Sequence, residues 1–189
     1  MKKIIFTLTL LFVAFNIMAQ EHLSFKGIPI EGSMTAFCQK LKAKGLTSIG
    51  SENNTTLFEG DFTGRNATIG VIATDDGKNV FAVLVLFESS DEWKTLVDTY
   101  DYYKDLYIRK YGKPKISKEN NPAHSDSNVA LMEEVYQGTI KYGSTWEVTG
   151  GDIQLSIEKS SRFYEGMVMI RYRDSQNTEA KIKNDLNDI

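Results

Sequence analysis

A chain of 189 residues with 25 acidic and 22 basic side chains carries a formal charge of −3, which disfavours nucleic acid and anionic lipid surfaces as partners. Its apolar content of 41% and aromatic content of 11% suffice for a packed core, and the charge is too modest for a disordered, strongly solvated protein. A lone cysteine, Cys38, excludes an intrachain disulfide, so packing alone must hold the fold.

The first stretch reads as a secretory signal peptide. Lys2 and Lys3 form a positive start, Ile4 to Ile17 is an apolar run broken only by Thr7, Thr9 and Asn16, and Ala19 is a small residue before a cut. The run is shorter than the roughly 20 apolar residues of a spanning helix, so stable membrane insertion is not expected. Removal of residues 1–19 leaves one α+β domain over 20–189 and moves the formal charge to −5. Gln20 stands where a lipoprotein would need cysteine. The expected address is exported, periplasmic or extracellular, in a bacterium of the Gram-negative type.

Glu21 to Ile30 suits a first strand, and Ser33 caps a helix whose apolar stripe is Met34, Phe37, Cys38 and Leu41. Gly45 ends that helix. Cys38 on the stripe reads as a buried, inert thiol. Strands follow near 56–62, 67–74 and 80–87, the last two joined by the Asp75-Asp76-Gly77-Lys78 turn. A long helix runs from about Asp91 to Tyr111, with Trp93, Leu96, Tyr100, Tyr103 and Tyr107 on its core face and Tyr102 exposed. Gly112 and Pro114 terminate it. After a polar segment with a short strand near Ile116, a helix over 127–136 and strands near 142–148, 153–159 and 167–173 are expected. A short helix over 176–186 closes the chain.

An internal echo recurs at an offset of 86 residues. Asp61-Phe62-Thr63-Gly64 matches Glu147-Val148-Thr149-Gly150, and Ala67, Ile69 and Val71 match Ile153, Leu155 and Ile157. Ala82, Leu84 and Leu86 match Val168, Ile170 and Tyr172. Two explanations stand side by side. Strand alternation has period two, so any two meanders can be slid into phase. Alternatively, the domain is a duplication of halves 20–112 and 113–189. Each would be strand, helix, three strands and helix, with mostly antiparallel sheet and helices on one face.

Alternation then assigns faces. In the second half Ile153, Leu155, Ile157, Val168, Ile170 and Tyr172 face the helices, and Asp152, Gln154, Ser156 and Glu158 face water with Met167, Met169, Arg171 and Arg173. In the first half the echo turns Ala82, Leu84 and Leu86 toward the helices. It leaves Phe81, Val83, Val85 and Phe87, with Ile72, on the opposite face. A strand apolar on both sides needs both sides covered. Either another part of the chain covers this face or a partner does. In the second case Ile72, Phe81, Val83, Val85, Phe87, Met167, Met169 and Arg171 are the partner-binding candidates.

Motifs for chemistry are absent from the sequence. No Gly-x-Ser-x-Gly elbow occurs, and His22 and His124 are the only histidines. One cysteine and two distant histidines do not make a zinc site. Asp126-Ser127-Asn128 begins like a calcium loop but lacks its glycine and distal glutamate, and reads as a helix cap. Gly150-Gly151 precedes a strand, not a helix, so it cradles no phosphate. No catalytic, cofactor or metal residue is therefore nominated, and no cofactor is expected.

Several strings resemble uncharacterised exported proteins of Bacteroidota: the Ala19-Gln20 junction, Phe25-Lys26-Gly27-Ile28-Pro29-Ile30, Lys110-Tyr111-Gly112-Lys113-Pro114, and Trp146 ahead of the Ile153 strand. The helix-then-meander layout also resembles tandem beta-lactamase-inhibitor-like and TATA-binding-like folds. The resemblance implies an exported α+β protein and carries no activity. The resulting expectation is a non-catalytic binding or interaction protein for a protein, peptide or envelope glycan. The alternatives are a structural homodimer through the open sheet face and a hydrolase with an unrecognised carboxylate site.

Overall fold

The computed structural model describes residues 21–120, 126–187 and 189. The expected signal segment and His124 lie outside the described residues. A short hairpin of β1 (Ser24–Phe25) and β2 (Ile28–Pro29) leads into α1 (Met34–Ala43). Strands β3 (Thr47–Glu52), β4 (Thr55–Phe62), β5 (Arg65–Ala73) and β6 (Val80–Leu86) precede α2 (Trp93–Tyr111). Then come β7 (Ile116–Asn120), α3 (Asn128–Gln137), β8 (Lys141–Val148), β9 (Gly151–Lys159), β10 (Gly166–Asp174) and α4 (Ser175–Leu186). The fold is α+β. Eight strands form one antiparallel sheet in the order β3-β4-β5-β6-β10-β9-β8-β7.

Local signals set the helix ends. Ser33 and Ser127 each accept a hydrogen bond from a backbone N–H three residues on, at 3.3 Å. Asp174 caps α4 by accepting from the Asn177 N–H at 2.9 Å, and it is fully buried. Gly112 ends α2 at φ +82, and its carbonyl accepts from Trp146 Nε1 at 2.9 Å, tying the helix to β8.

The core lies between one sheet face and the helices. Phe37 and Leu41 of α1 and Leu96, Tyr100 and Tyr103 of α2 are buried against it. Ile153, Leu155, Ile157, Val168, Ile170 and Tyr172 all lie on this side, as the alternation predicts.

The facing of β6 is the reverse of the expectation. Val83 and Val85 are fully buried, and Phe87 stacks on Tyr103 of α2 with ring centroids 4.4 Å apart. Ala82, Leu84 and Leu86 turn to the opposite face, beside Ile72, Gly70 and Thr68 of β5. The cause is an irregularity at the start of β6. Ile72 pairs with Ala82 but Ala73 pairs with Val80, so Phe81 is an extra residue. One inserted residue inverts every side chain beyond it. The corresponding stretch of β10 runs in unbroken register from Gly166 opposite Lys159 to Asp174 opposite Gly151.

The same insertion breaks the gap-free echo. Strands β4 and β8 are offset by 86 residues, as are β5 and β9. In β6 and β10, equivalence by register runs from Val83, opposite Val71, to Val168, opposite Ile157, and from Val85 to Ile170, an offset of 85. Strand β3 is an additional element beyond those expected from the sequence; all six of its residues are exposed at the sheet edge.

Candidate functional site

A cleft of about 1020 Å³ opens between the N-terminal hairpin and α2. Its first wall is the segment His22–Gly27, and its second is the last two turns of α2. Phe62, Thr63, Val148, Thr149 and Tyr172 complete its lining.

The first wall is held by packing and by buried polar bonds. Lys26 and Gly27 form a two-residue turn at φ +50 and +75, which suits a tight hairpin of type I′. That turn sets Phe25, which is fully buried, parallel to Phe62 at 5.9 Å and edge-on to Tyr172 at 5.2 Å. Asp174 Oδ2 accepts from the Leu23 N–H at 2.9 Å and lies 3.1 Å from His22 Nδ1. The segment also passes tightly over Gly150. A Cβ there would sit 2.3 Å from the Glu21 carbonyl oxygen, so only glycine admits the crossing.

The second wall follows from helical spacing. Tyr103, Tyr107 and Tyr111 recur every four residues and line the cleft together. Tyr103 donates its hydroxyl hydrogen to the Phe62 carbonyl at 3.2 Å. The Tyr107 and Tyr172 hydroxyls bond to each other, and the Tyr107 ring leans on Trp146 at 5.3 Å. Burial pushes the Tyr103, Tyr107 and Tyr172 hydroxyls above the usual phenol range. They stay protonated at ordinary pH, so the rings beneath the cleft, each exposed by 7% or less, carry no charge.

Charge enters at the walls. Lys26 Nζ donates to the Asp61 backbone carbonyl at 2.8 Å and lies 5.7 Å from the centre of the Phe62 ring. Lys110 Nζ lies 4.9 Å from the centre of the Tyr111 ring. Neither lysine joins an ion pair among those of the described residues. Glu147, at the far end, is bridged to Lys115 outside the cleft. Glu21 is an exposed carboxylate on the rim.

The sequence-nominated residues lie elsewhere. Ile72, Met167, Met169 and Arg171 are half-buried on the sheet face opposite α1 and α2, where Met169 pairs with Leu86 and Arg171 with Leu84. Arg171 Nη2 donates to Gln154 Oε1 at 2.5 Å. Val83, Val85 and Phe87 belong to the core, and Phe81 is the half-buried residue of the β6 irregularity. The apolar side of the free face is thus built from Leu57, Ile72, Leu84 and Leu86, not from the four residues expected. Cys38 is buried, and its thiol is raised by desolvation.

No single stretch of sequence marks the cleft. The Lys26-Gly27 pair between Phe25 and Ile28 is a hairpin signal that could have placed the first wall. The tyrosine stripe reads as core, and Tyr100, Tyr103 and Tyr107 are buried, while Tyr111 at its end is half-covered. The His22–Asp174 pair is an imidazole held by a carboxylate. Among the described hydrogen bonds, none links His22 to a serine, threonine or cysteine side chain. No group of three or more metal-ligating side chains occurs among the described residues, and no described helix is long and apolar enough to cross a membrane.

The class these features define is an α+β protein with one antiparallel sheet and an aromatic cleft between its N-terminal hairpin and its longest helix. Comparison with known proteins gave no matching family model, curated protein or solved structure.

Proposed function

We propose that the protein is an exported, non-catalytic binding protein whose ligand enters the cleft between the hairpin and α2. The observation that carries this reading is the cleft itself: about 1020 Å³, with rigid rings in its lining. That volume is at the upper end of the roughly 300–1,000 Å³ of small-molecule sites. Its rings are fixed by stacking and hydroxyl pairing, so binding orders little. Export rests on Lys2, Lys3, the apolar run to Ile17 and the Ala19 junction. The 86-residue offset of β4 from β8 and of β5 from β9 supports an ancient duplication of the two halves.

Chemical-shift mapping with a set of small aromatic and aliphatic fragments tests the cleft. Shifts are expected to converge on residues 22–27 and 103–111 and to vanish in Ser24→Trp, which places a large ring on the wall from an exposed position. Shifts scattered over the surface, or unchanged in the variant, would refute the site.

A second reading has its own observation. Leu57, Ile72, Leu84, Leu86 and Met169 are apolar and only half-buried on the sheet face away from α1 and α2, which favours a homodimer through that face. Leu84→Asp then yields monomer in light scattering, whereas an unchanged monomeric wild type discards this reading.

A further inference from the structure

We propose that the edge of β3 accepts an extended acidic peptide of a partner protein as an added strand, with one of its side chains in the slot beside α1. This surface lies apart from the cleft, and no residue lines both. Strand β3 ends the sheet, and among the described residues no strand pairs its outer side. The opposite edge, β7, carries Lys118 and Glu119 in mid-strand, a charge pattern by which natural edges repel an added strand. The one charge on β3 is Glu52, at its very end. Glu52 pairs with Thr55 across a two-residue turn and closes that hairpin, so the next pair, Ser51 with Thr56, exchanges no backbone bonds. The Ser51 N–H and carbonyl therefore point away from β4, toward solvent. A register shift leaves Ile49 as an extra residue, 52% exposed, so the regular edge runs from Gly50 to Glu52.

A slot of about 270 Å³ lies beside this edge, lined by Met34, Cys38 and Lys42 of α1 and by Ser48, Ser51 and Thr56 of the strands. Direct contacts tie its two sides together. Ser51 Oγ donates to Thr56 Oγ1 at 3.1 Å, and the Thr56 side chain is in hydrogen-bonding contact with the Cys38 thiol. Cys38 Sγ lies 3.5 Å from Met34 Sδ, one helical turn back, and Lys42 stands one turn on. The volume is below the roughly 300–1,000 Å³ of small-molecule sites, and it suits a single side chain. Strand addition works in this way: main-chain bonds supply affinity, and pockets for alternate side chains supply specificity. The acidic preference comes from Lys42. It is exposed, it joins no ion pair among the described residues, and no described carboxylate lines the slot. In an added strand, a glutamate two positions from the inserted side chain lies on the same face.

Two amidated hexapeptides test this on the full protein: one of alternating threonine and valine ending in glutamate, and a twin ending in lysine. In amide chemical-shift titrations the glutamate peptide should move Gly50 to Glu52 and slow hydrogen exchange at Ser51. It should bind about threefold more tightly than its twin, and Lys42→Glu should reverse that preference. Ser51→Pro removes the outward N–H without touching the ladder to β4, and should weaken both peptides about tenfold. A thermal melt checks the fold of each variant; if Ser51→Pro does not fold, the response to Lys42→Glu decides. Absence of shifts at β3, affinity unchanged in a folded Ser51→Pro, or a preference indifferent to Lys42→Glu would overturn the peptide site. A dimer in light scattering that Ser51→Pro dissociates would also overturn it, by giving the edge to a second copy of the chain. None of these outcomes bears on the cleft, which fragment mapping tests separately.

Discussion

Val85 and Ile170 stand opposite each other in the central strand pair, and the pairs flanking them, Leu84 with Arg171 and Leu86 with Met169, exchange under a shift of 85 residues. Those two residues mark the approximate twofold centre of the sheet. On the buried side the exchange is conservative, valine for isoleucine. On the other side it is not, because Leu86 corresponds to Arg171.

The first prediction concerns this inversion of faces. Val83→Asp buries an unpaired carboxylate in the core and should cost at least about 3 kcal/mol, abolishing a cooperative melt. Leu84→Asp, one residue away and facing the free side beside Arg171, should cost about 1 kcal/mol or less. Thermal denaturation followed by circular dichroism separates them. Equal losses would mean the β6 register is wrong.

Element positions were legible in the sequence because caps and turn residues are local. Ser33, Gly45 and Ser127 act within a few residues of where they stand; the Lys26-Gly27 pair does too, but residues 21–30 read as one strand and the turn there instead splits them into the β1–β2 hairpin. The facing of β6 was not legible. Val80 to Phe87 is apolar throughout, so no polar residue marks which side meets water, and the extra Phe81 leaves no trace in periodicity. Strand β3 carries no such signal, because Thr47–Glu52, exposed on every residue, shows no alternation of buried and exposed side chains. The cleft was hidden for a different reason: its lining is assembled from the hairpin, β4, α2, β8 and β10, which only the folded chain brings together.

The second prediction uses the buried hydroxyl pair. Tyr107→Phe removes one partner and leaves the Tyr172 hydroxyl buried and unpaired, at a cost of about 1–2 kcal/mol. Tyr172→Phe does the same in reverse. The double variant, which removes both, should fall short of the sum of the singles by about 1 kcal/mol. Urea titration of all four proteins gives the coupling; strict additivity would contradict the hydroxyl–hydroxyl bond.

The third prediction concerns the crossing at Gly150. An alanine there meets the Glu21 and Leu23 backbone and must adopt φ +83. Gly150→Ala should therefore release the first wall, raising hydrogen exchange at Leu23 and Phe25 and costing about 2 kcal/mol or more. Gly77→Ala, with a positive φ but nothing within 4 Å of its Cβ, should cost about 1 kcal/mol and leave the hairpin protected. Unchanged exchange in Gly150→Ala would show that the wall does not depend on that contact.

The fourth prediction is a pH dependence at the β5–β6 turn. The Thr74 hydroxyl, then the Lys78 N–H and the Lys78 ammonium, hold the Asp76 carboxyl down at about 2 against an ordinary 3.8. A depressed folded value means its stabilisation is complete above about 3.8 and is lost as pH falls toward 2. Asp76→Asn should thus show a smaller decline in melting temperature than wild type across that window. A carbon-detected titration that places the Asp76 midpoint near 3.8 would remove the basis for this effect.

Residues 22–27 frame one side of the cleft, which has a practical corollary for anyone preparing the protein. A purification handle or fluorescent reporter fused ahead of Glu21 would hang over the opening and compete with whatever is added to it. Ligand screens run on amino-terminally tagged material would under-count hits.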